Sequence, residues 1–193
     1  MFLPYIQQDR VANVVGIDPG SQTLGLCVLS FDIVTFEIIS TQAKTFYGDR
    51  LPQYDKFIAA THGDRVARIL AHKQNIKELL YYYKPIIVAS ESPFFNTRRP
   101  NAFAALLEVL TMIRDSIIEY NPYQPLIGID PPTVKKAVGA PGNADKSMVL
   151  LALSKMGDAL KLNQNYISQL DEHSVDAIAV AYCAYVNQVL NRQ

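Results

Sequence analysis

Three short β-rich runs at the start of the chain constrain its fold more than any other feature. They cover residues 11–17, 23–30 and 33–41, and only a few residues separate each run from the next. Strands joined by such short connections pair as an antiparallel meander. Because a sheet buries at least one face, the remaining residues have to supply helices that cover it.

The rest of the chain alternates between helical and strand patterns. The predicted elements are, in order, a helix at 65–83, a strand at 86–90, a helix at 101–120, a strand at 125–129, a short helix at 133–138 and helices at 144–155 and 175–190. Residues 44–63 follow neither period. This order predicts a single mixed α/β domain over residues 1–193.

The helix predicted at 101–120 is apolar around most of its circumference. Its main apolar stripe consists of Phe103, Leu106, Leu107, Leu110, Ile113 and Ile117. A helix of this kind lies in the centre of a core or packs against a partner. We expect one face to lie on the sheet and the opposite face to form a homodimer interface.

Composition and the length of apolar runs restrict the class of protein. The chain has 193 residues, of which 49% are hydrophobic and 19% charged, as in an ordinary globular domain. Its longest apolar run covers only residues 177–186, whereas a membrane span needs about 20 residues. The N-terminus lacks a secretion-signal pattern, and Cys27 and Cys183 lack a disulfide-framework spacing. We therefore expect a cytoplasmic protein that does not span a membrane.

Charge is distributed unevenly along the chain, although the formal net charge is zero. Residues 65–155 contain 12 Lys and Arg against 7 Asp and Glu, and the remaining segments contain 6 against 11. This pattern indicates either a basic surface beside an acidic pocket or a chance scatter of charges. A neutral chain can therefore still bind nucleic acid, although with less general affinity for DNA than a basic one.

Two carboxylates directly follow predicted strands. Asp18 ends the first strand and leads into a Pro-Gly turn, and Glu91 follows the apolar run at 86–90. If these strands are neighbours, both carboxylates lie at one edge of the sheet, where glycines such as Gly25 would let an anionic ligand approach the backbone. Taken singly, each carboxylate is equally well explained as a turn or strand-end charge.

A third group of titratable residues opens the last helix. Asp176 follows His173 by three residues, so both lie on one helix face. Glu172 shares that face approximately and remains a rival to His173, whereas Asp171 has the position of an N-cap. A carboxylate in an otherwise apolar helix is costly to bury without a partner. A hard divalent cation such as Mg²⁺ would offset that cost.

Carboxylates from distant segments, combined with basic residues, are typical of two-metal phosphodiester hydrolysis. One ion lowers the pKa of the attacking water, and the other stabilises the leaving oxygen. Lys135 and Lys146 flank a loop that contains glycine and proline, where they could contact phosphate. The same segment could also be an ordinary solvated loop.

These motifs resemble, in order, those of RuvC-type Holliday junction resolvases, within the RNase H-like nuclease superfamily. The matching stretches are GIDPGSQTLGLCVL, IVASESPFF with the long helix after it, PPTVKKAVGAPGNADKSMV and HSVDAIAVAYCAY, and the resemblance covers residues 12–186. The resemblance implies an RNase H-like fold, with a mixed five-stranded sheet of three antiparallel and two parallel strands flanked by helices. It also implies a homodimeric, Mg²⁺-dependent endonuclease that resolves four-way DNA junctions by paired symmetric nicks.

The resemblance further implies roles for individual residues in metal binding. Asp18, Glu91 and Asp176 would be the carboxylate ligands of Mg²⁺, for which Mn²⁺ would substitute. His173 would be the fourth member of the metal site, with Glu172 as the alternative.

The resemblance assigns the DNA contacts to two other segments. Lys135 and Lys146 would be the basic residues needed for cleavage, and Lys136 would be an additional DNA contact. Phe94 would stack at the centre of the junction, although Phe95 competes for that role and Phe94 could instead belong to the core. Residues 44–63 cannot be related to the family pattern.

Other functions remain open from the sequence. An RNase H-like nuclease could act on flaps or RNA–DNA hybrids, and a catalytically silent protein could bind junctions without cutting them. The intact acidic residues Asp18, Glu91 and Asp176 argue against the silent protein. An actin-like ATPase would need roughly twice this length. Neither a helicase partner nor a preferred cleavage sequence can be identified.

Overall fold

A computed structural model describes residues 10–93 and 100–192 of the chain. Within these residues, five strands form one mixed sheet in the order β3-β2-β1-β4-β5. The strands are β1 (Val11–Asp18), β2 (Thr23–Asp32), β3 (Ile38–Tyr47), β4 (Ile87–Glu91) and β5 (Leu126–Ile129). Strands β1, β2 and β3 pair antiparallel, whereas β4 is parallel to β1 and β5 is parallel to β4. The predicted meander with two added parallel strands is therefore confirmed.

Helices cover both faces of this sheet. They are α1 (Lys56–His62), α2 (Asp64–Tyr83), α3 (Pro100–Tyr120), α4 (Pro131–Ala137), α5 (Lys146–Lys155), α6 (Gln164–Ile167) and α7 (Glu172–Gln188). Helices α2 and α3 bury apolar side chains against one face, and α4 to α7 do so against the other. Among the described residues, no helix combines the length and the hydropathy that crossing a membrane requires.

Helix α7 lies directly on the sheet and contacts all five strands. Two glycines allow this close approach. A Cβ atom on Gly16 would lie 2.4 Å from the carbonyl oxygen of Ala177, and one on Gly25 would lie 2.2 Å from the carbonyl oxygen of His173. Any side chain at these positions would push the helix away. Gly25 therefore makes room for the first turn of α7, not for the anionic ligand expected from the sequence.

The third strand begins later than the sequence predicted. It starts at Ile38, whereas the apolar alternation suggested a strand at 33–41. The side chain of Asp32 accepts a hydrogen bond from the backbone N–H of Val34 at 2.7 Å, and Phe36 has a φ of 59°. These features form a turn, as is common for Asp. The alternating apolar residues 34 and 36 belong to this turn.

Residues 44–63, which the sequence left unassigned, contain the end of β3, a 3₁₀ turn at Gly48–Arg50 and helix α1. Asp55 caps α1 by accepting from the backbone N–H groups of Phe57 and Ile58. Helix α1 packs against α2 but has no fully buried residue. A short helix without a buried stripe has little apolar periodicity by which to detect it.

Helix α3 is less uniformly apolar than its sequence suggested. Its inner face contributes Val109, Leu110, Ile113 and Ile117 to the core beside α2. Its outer face carries Glu108, Arg114, Asp115 and Glu119 together with the exposed apolar side chains of Leu107 and Ile118. The face of α3 opposite the core, where a homodimer interface is expected, therefore carries charged as well as apolar side chains.

Candidate active site

The predicted site residues meet at the edge of the sheet formed by the carboxyl ends of β1 and β4. These strands are parallel neighbours, with Ile17 opposite Ser90, so Asp18 and Glu91 end adjacent strands. The first turn of α7 lies over this edge. A cleft of about 270 Å³ opens there and is lined by Asp18, Glu91, Pro131, Lys135, Lys146, Val149, His173 and Asp176. The fold therefore brings together six polar residues from five elements, namely β1, β4, α4, α5 and α7.

Two of the carboxylates in the cleft are held in surroundings that disfavour their charge. Burial, followed by the negative charges of Asp18 and Asp176, raises the pKa of Glu91 to about 7. Burial and the charge of Asp18 likewise raise the pKa of Asp176 to about 6. Nearby lysines reduce both effects without cancelling them. Glu91 and Asp176 therefore ionise less readily in this cleft than they would in water.

His173 is fixed by hydrogen bonds at both ring nitrogens. Its Nδ1 lies 2.7 Å from Oδ2 of Asp18, and its Nε2 lies 2.9 Å from Oγ1 of Thr23. Because a carboxylate only accepts hydrogen bonds, Nδ1 carries a proton and donates it to Asp18. This bond is the main reason why the pKa of His173 is raised. In neutral His173, the Nε2 lone pair accepts from the Thr23 hydroxyl.

Lys146 lies between two carboxylates of α7. Its Nζ is 2.8 Å from Glu172 and 3.6 Å from Asp176. Burial alone would lower the pKa of Lys146, but the hydrogen bond to Glu172 and the charge of Asp176 outweigh it, so the pKa is raised. The same hydrogen bond lowers the pKa of Glu172. Glu172 is therefore the ion-pair partner of a lysine in the cleft and does not itself line the cleft.

The other predicted basic residues differ in their position. Lys135 lines the cleft, and its Nζ donates to the carbonyl oxygen of Ala144 at 2.6 Å. This bond ties α4 to the start of the segment that holds Lys146. Lys136 is exposed and does not line the cleft. Phe94 lies outside the described residues, as does Phe95.

The donor set of the cleft fits a hard divalent cation in its chemistry. Three carboxylates supply the oxygen ligands that Mg²⁺ prefers, and a cation would offset the burial and mutual repulsion that raise the pKa values of Glu91 and Asp176. Within residues 10–93 and 100–192, however, no three Asp, Glu, His or Cys side chains are already gathered as a formed metal site. Asp18 is instead paired with His173, and Asp176 with Lys146. Ligation therefore requires these pairs to rearrange.

Sequence reasoning missed the hydroxyl groups that support the site. Thr23 bonds to His173, and Thr45 of β3 bonds to Asp171 at 2.5 Å. Asp171 in turn accepts from the backbone N–H of Ser174 and caps α7, as predicted. The strand register places Thr45 opposite Gly25, a pairing that the misassigned start of β3 concealed.

Comparisons with known proteins agree with this geometry. A family model described as "Crossover junction endodeoxyribonuclease RuvC" matches residues 14–184. A RuvC protein of Alkaliphilus metalliredigens is 30% identical over 177 residues, covering 88% of this chain and 90% of the relative. One of Caldanaerobacter subterraneus is 26% identical over 192 residues, covering 93% and 96%.

Solved structures share the fold. The Thermus thermophilus RuvC structure superposes with a TM-score of 0.63 at 24% identity, covering 91% of this chain and 95% of the other. The yeast mitochondrial Holliday junction resolvase gives a TM-score of 0.58 at 13% identity, covering 94% and 82%. The five-stranded sheet and its flanking helices are thus the fold of these two structures.

Proposed function

Because the chain belongs to the RuvC family of crossover junction endodeoxyribonucleases, we propose that it hydrolyses phosphodiester bonds in four-way DNA junctions. The observation that carries this proposal is the cleft in which Asp18, Glu91 and Asp176 lie together with Lys135 and Lys146. A phosphate would be repelled by the carboxylates alone. The cleft therefore suits a phosphodiester substrate only when cations neutralise its acidic residues.

We propose Mg²⁺ as the natural cation, with Mn²⁺ as a substitute, and Asp18, Glu91 and Asp176 as the residues that hold it. When bound, the ions lower the pKa of the attacking water and stabilise the leaving oxygen. The chain contributes the orientation of these ligands, because Asp18 and Glu91 end neighbouring strands and Asp176 is the fifth residue of α7. Burial of Glu91 and Asp176 excludes bulk water from part of the site.

The two lysines have different roles in this proposal. Lys135 is held by the Ala144 carbonyl and faces the cleft, where its charge would stabilise the negative charge that develops on the phosphate. Lys146 spans Glu172 and Asp176. With a cation held by Asp176, Lys146 would keep Glu172 as its ion-pair partner and would be able to contact the DNA.

We assign His173 as the fourth member of the site, with Glu172 as the rival. The structure supports His173 by position, since it lines the cleft and contacts Asp18. To ligate through Nε2, the ring must exchange the Thr23 hydroxyl for the cation. Glu172 has an alternative function as the partner of Lys146.

We further propose that the chain is one nuclease domain, acts as a cytoplasmic homodimer and cuts two strands symmetrically. The exposed apolar side chains of Leu107 and Ile118 on α3, and of Val66 and Leu70 on α2, support a dimer on this side of the sheet. Phe94 and Lys136 are further proposed DNA contacts. Light scattering that gives a monomer mass at micromolar concentration would contradict the dimer.

The experiment that tests the function is cleavage of synthetic DNA. The protein is incubated with a four-way junction, a flap, an RNA–DNA hybrid and a plain duplex, with and without Mg²⁺, and the cuts are mapped. We expect paired, symmetric nicks in the junction only when metal is present. Preferential cutting of the flap or hybrid would replace the proposed substrate, and binding without cutting under all conditions would indicate a silent junction-binding protein.

A further inference from the structure

We propose that Tyr47 and Arg50, at the end of edge strand β3, form a second DNA contact that binds a nucleotide of the substrate beside the catalytic cleft. This proposal rests on the proposed function, because it assumes that DNA occupies the cleft. The Arg50 guanidinium lies 4.4 Å from the centre of the Tyr47 ring. Aromatic rings and guanidinium groups are the surfaces on which unpaired bases stack.

Strand register places this pair close to the catalytic carboxylates. Asp18 is opposite Gly25, and Gly25 is opposite Thr45, so Thr45 lies two strands away from Asp18. Neighbouring strands are about 4.8 Å apart, which gives a backbone separation of roughly 10 Å. Tyr47 follows Thr45 by two residues, at the same end of the sheet as the cleft.

Side-chain alternation puts Tyr47 on the cleft side of the sheet. Residues two apart on a strand point to the same face. Thr45 bonds to Asp171, the N-cap of α7, so its side chain points to the face on which α7 lies. The side chain of Tyr47 therefore leaves β3 on the face that also carries His173. It is 37% exposed there.

The segment that carries Arg50 is anchored to the loop that follows Asp18. The backbone N–H of Gly48 donates to the carbonyl oxygen of Gln22 at 2.9 Å. A Cβ atom on Gly48 would lie 2.7 Å from Cβ of Arg68 on α2, so the turn packs closely against that helix. The pair is thus held in place before any ligand binds, which limits the entropy lost on binding.

The charges around the pair leave Arg50 available to a nucleic acid, because the described part of the chain does not supply it with an acidic ion-pair partner. No carboxylate in residues 10–93 or 100–192 is found at ion-pair distance from Arg50. Nearby Asp55 accepts from the backbone at the start of α1, and Asp64 accepts from the Tyr54 hydroxyl. Asp49 is the exposed acidic neighbour. A cation on an aromatic ring, at the same end of the sheet as the cleft, matches the alternating bases and phosphates of a DNA strand.

A fluorescent reporter can test this contact, because the protein contains no tryptophan. In the Tyr47→Trp protein, the single indole should be quenched when an uncut four-way junction is added in EDTA, as expected for a base stacked on it. Tyr123→Trp provides the matched control. Tyr123 is 92% exposed and lies just before β5, at the opposite end of the sheet. Its fluorescence should not change.

Binding measurements separate the two side chains. Tyr47→Ala should weaken junction binding by about tenfold, as for loss of one stacked base, and Tyr47→Phe should restore it. Arg50→Ala should reduce the slope of log affinity against log salt by about 0.9, as for one lost phosphate contact. Arg10→Ala is the charge-matched control, since Arg10 precedes β1 at the far end and pairs with Asp32. Circular dichroism verifies that each variant is folded.

The outcomes distinguish this contact from the proposed function. If the wild-type protein binds and cuts junctions, but the Tyr47 and Arg50 variants match their Tyr123 and Arg10 controls, the second contact is wrong and the function stands. If the wild-type protein binds no four-way junction, the proposed function fails and this inference fails with it. Quenching at both tryptophan positions would indicate non-specific coating by DNA and would also overturn the proposal.

Discussion

Charged side chains collect in the cleft at the ends of β1 and β4 and again on the outer surface between α2 and α3. On the outer surface, Lys73 lies 2.6 Å from Asp115 and 2.5 Å from Glu119, and Lys77 also contacts Glu119. These hydrogen bonds lower the pKa of Glu119 to about 2. In the cleft, burial raises the pKa of Glu91 to about 7. The pKa of a glutamate is thus shifted in opposite directions in the two regions: it is lowered at Glu119 and raised at Glu91.

The two regions differ in how deeply their carboxylates are buried and in how closely lysine side chains contact them. The surface pairs are exposed to water, and each carboxylate there has a lysine in contact. The carboxylates of the cleft are partly removed from water, and Glu91 feels the charges of Asp18 and Asp176 more strongly than those of Lys135 and Lys146. The carboxylates of the outer surface are paired within the chain, whereas a cation of the kind we propose would stabilise the ionised carboxylates of the cleft. This contrast supports the proposal that the cleft is the functional site.

The largest effect should come from neutralising the carboxylates of the cleft. Asp18→Asn, Glu91→Gln or Asp176→Asn should reduce junction cleavage by at least about 10³-fold, because each removes a proposed metal ligand. Junction binding, measured by gel shift in EDTA, should survive, since affinity comes mainly from phosphate contacts elsewhere. Glu119→Gln on the outer surface is the matched control and should cut normally. Wild-type cutting by the Asp18→Asn protein would refute the site assignment.

A second comparison decides between His173 and Glu172. His173→Ala should raise the Mg²⁺ concentration needed for half-maximal cleavage by about 10- to 100-fold. His173→Asp should retain substantial cutting, because a carboxylate can replace the imidazole as a ligand. Cleavage rates are measured over a magnesium titration, with Glu172→Ala in parallel. If only the Glu172 variant changes the metal requirement, His173 has been assigned wrongly.

A third prediction concerns the stability of the metal-free protein between pH 4.5 and 7. The pKa of Glu91 is raised from 4.5 to about 7 in the folded state. Its stabilising contribution is therefore complete below pH 4.5 and is lost as the pH rises through 7. We expect Glu91→Gln to gain about 1–3 kcal/mol of unfolding free energy over the wild type as the pH rises through this window.

The design of this measurement has to account for His72. Burial lowers the pKa of His72 to about 4, so its contribution is complete above its usual pKa and is lost as the pH falls towards 4. The stability contribution of His72 thus changes with pH in the opposite direction to that of Glu91 in the same window. Urea unfolding of wild type and Glu91→Gln at each pH, in EDTA, cancels the His72 contribution because both proteins contain His72, and the remaining difference reports Glu91 together with its coupling to Asp176. An unchanged difference between pH 5 and 8 would contradict the prediction.

The smallest effect is expected on the outer surface. Lys73→Ala should lower the free energy of unfolding by less than about 1 kcal/mol, because exposed ion pairs contribute little and are screened by salt. Urea unfolding at low and high salt is the measurement, and the difference from wild type should shrink at high salt. Cleavage should be unaffected. A loss of cleavage in this variant would show that the ion pairs of the outer surface influence the cleft, and would contradict the separation of the two regions.

Much of the site could be predicted from the sequence because the end of an apolar run marks the end of a buried strand. Asp18 and Glu91 each follow an apolar run, and parallel pairing of those runs brings them to one edge. His173 and Asp176 were placed on one face by helical spacing alone. The supporting hydroxyl of Thr23 was not predicted, since its role depends on a contact across 150 positions of the chain, and no local pattern encodes such a contact.

The less regular parts of the fold escaped prediction for local reasons. The start of β3 was placed too early because residues 34 and 36 imitate strand alternation within a turn that Asp32 stabilises. Helices α1 and α6 are short, and each has at most one buried residue, so no apolar stripe marks them. Gly25 was correctly singled out as a close approach, but the approaching group is the backbone of α7.

The packing of α7 on Gly16 and Gly25 also limits how such a protein can be re-engineered. A library that diversifies the central strands can vary most of their side chains in concert with the core, but these two positions admit hydrogen alone. A single residue inserted between His173 and Asp176 would rotate one relative to the other by about 100°. Transfer of this site to another protein would therefore require that β1, β2 and α7 be moved together as one unit.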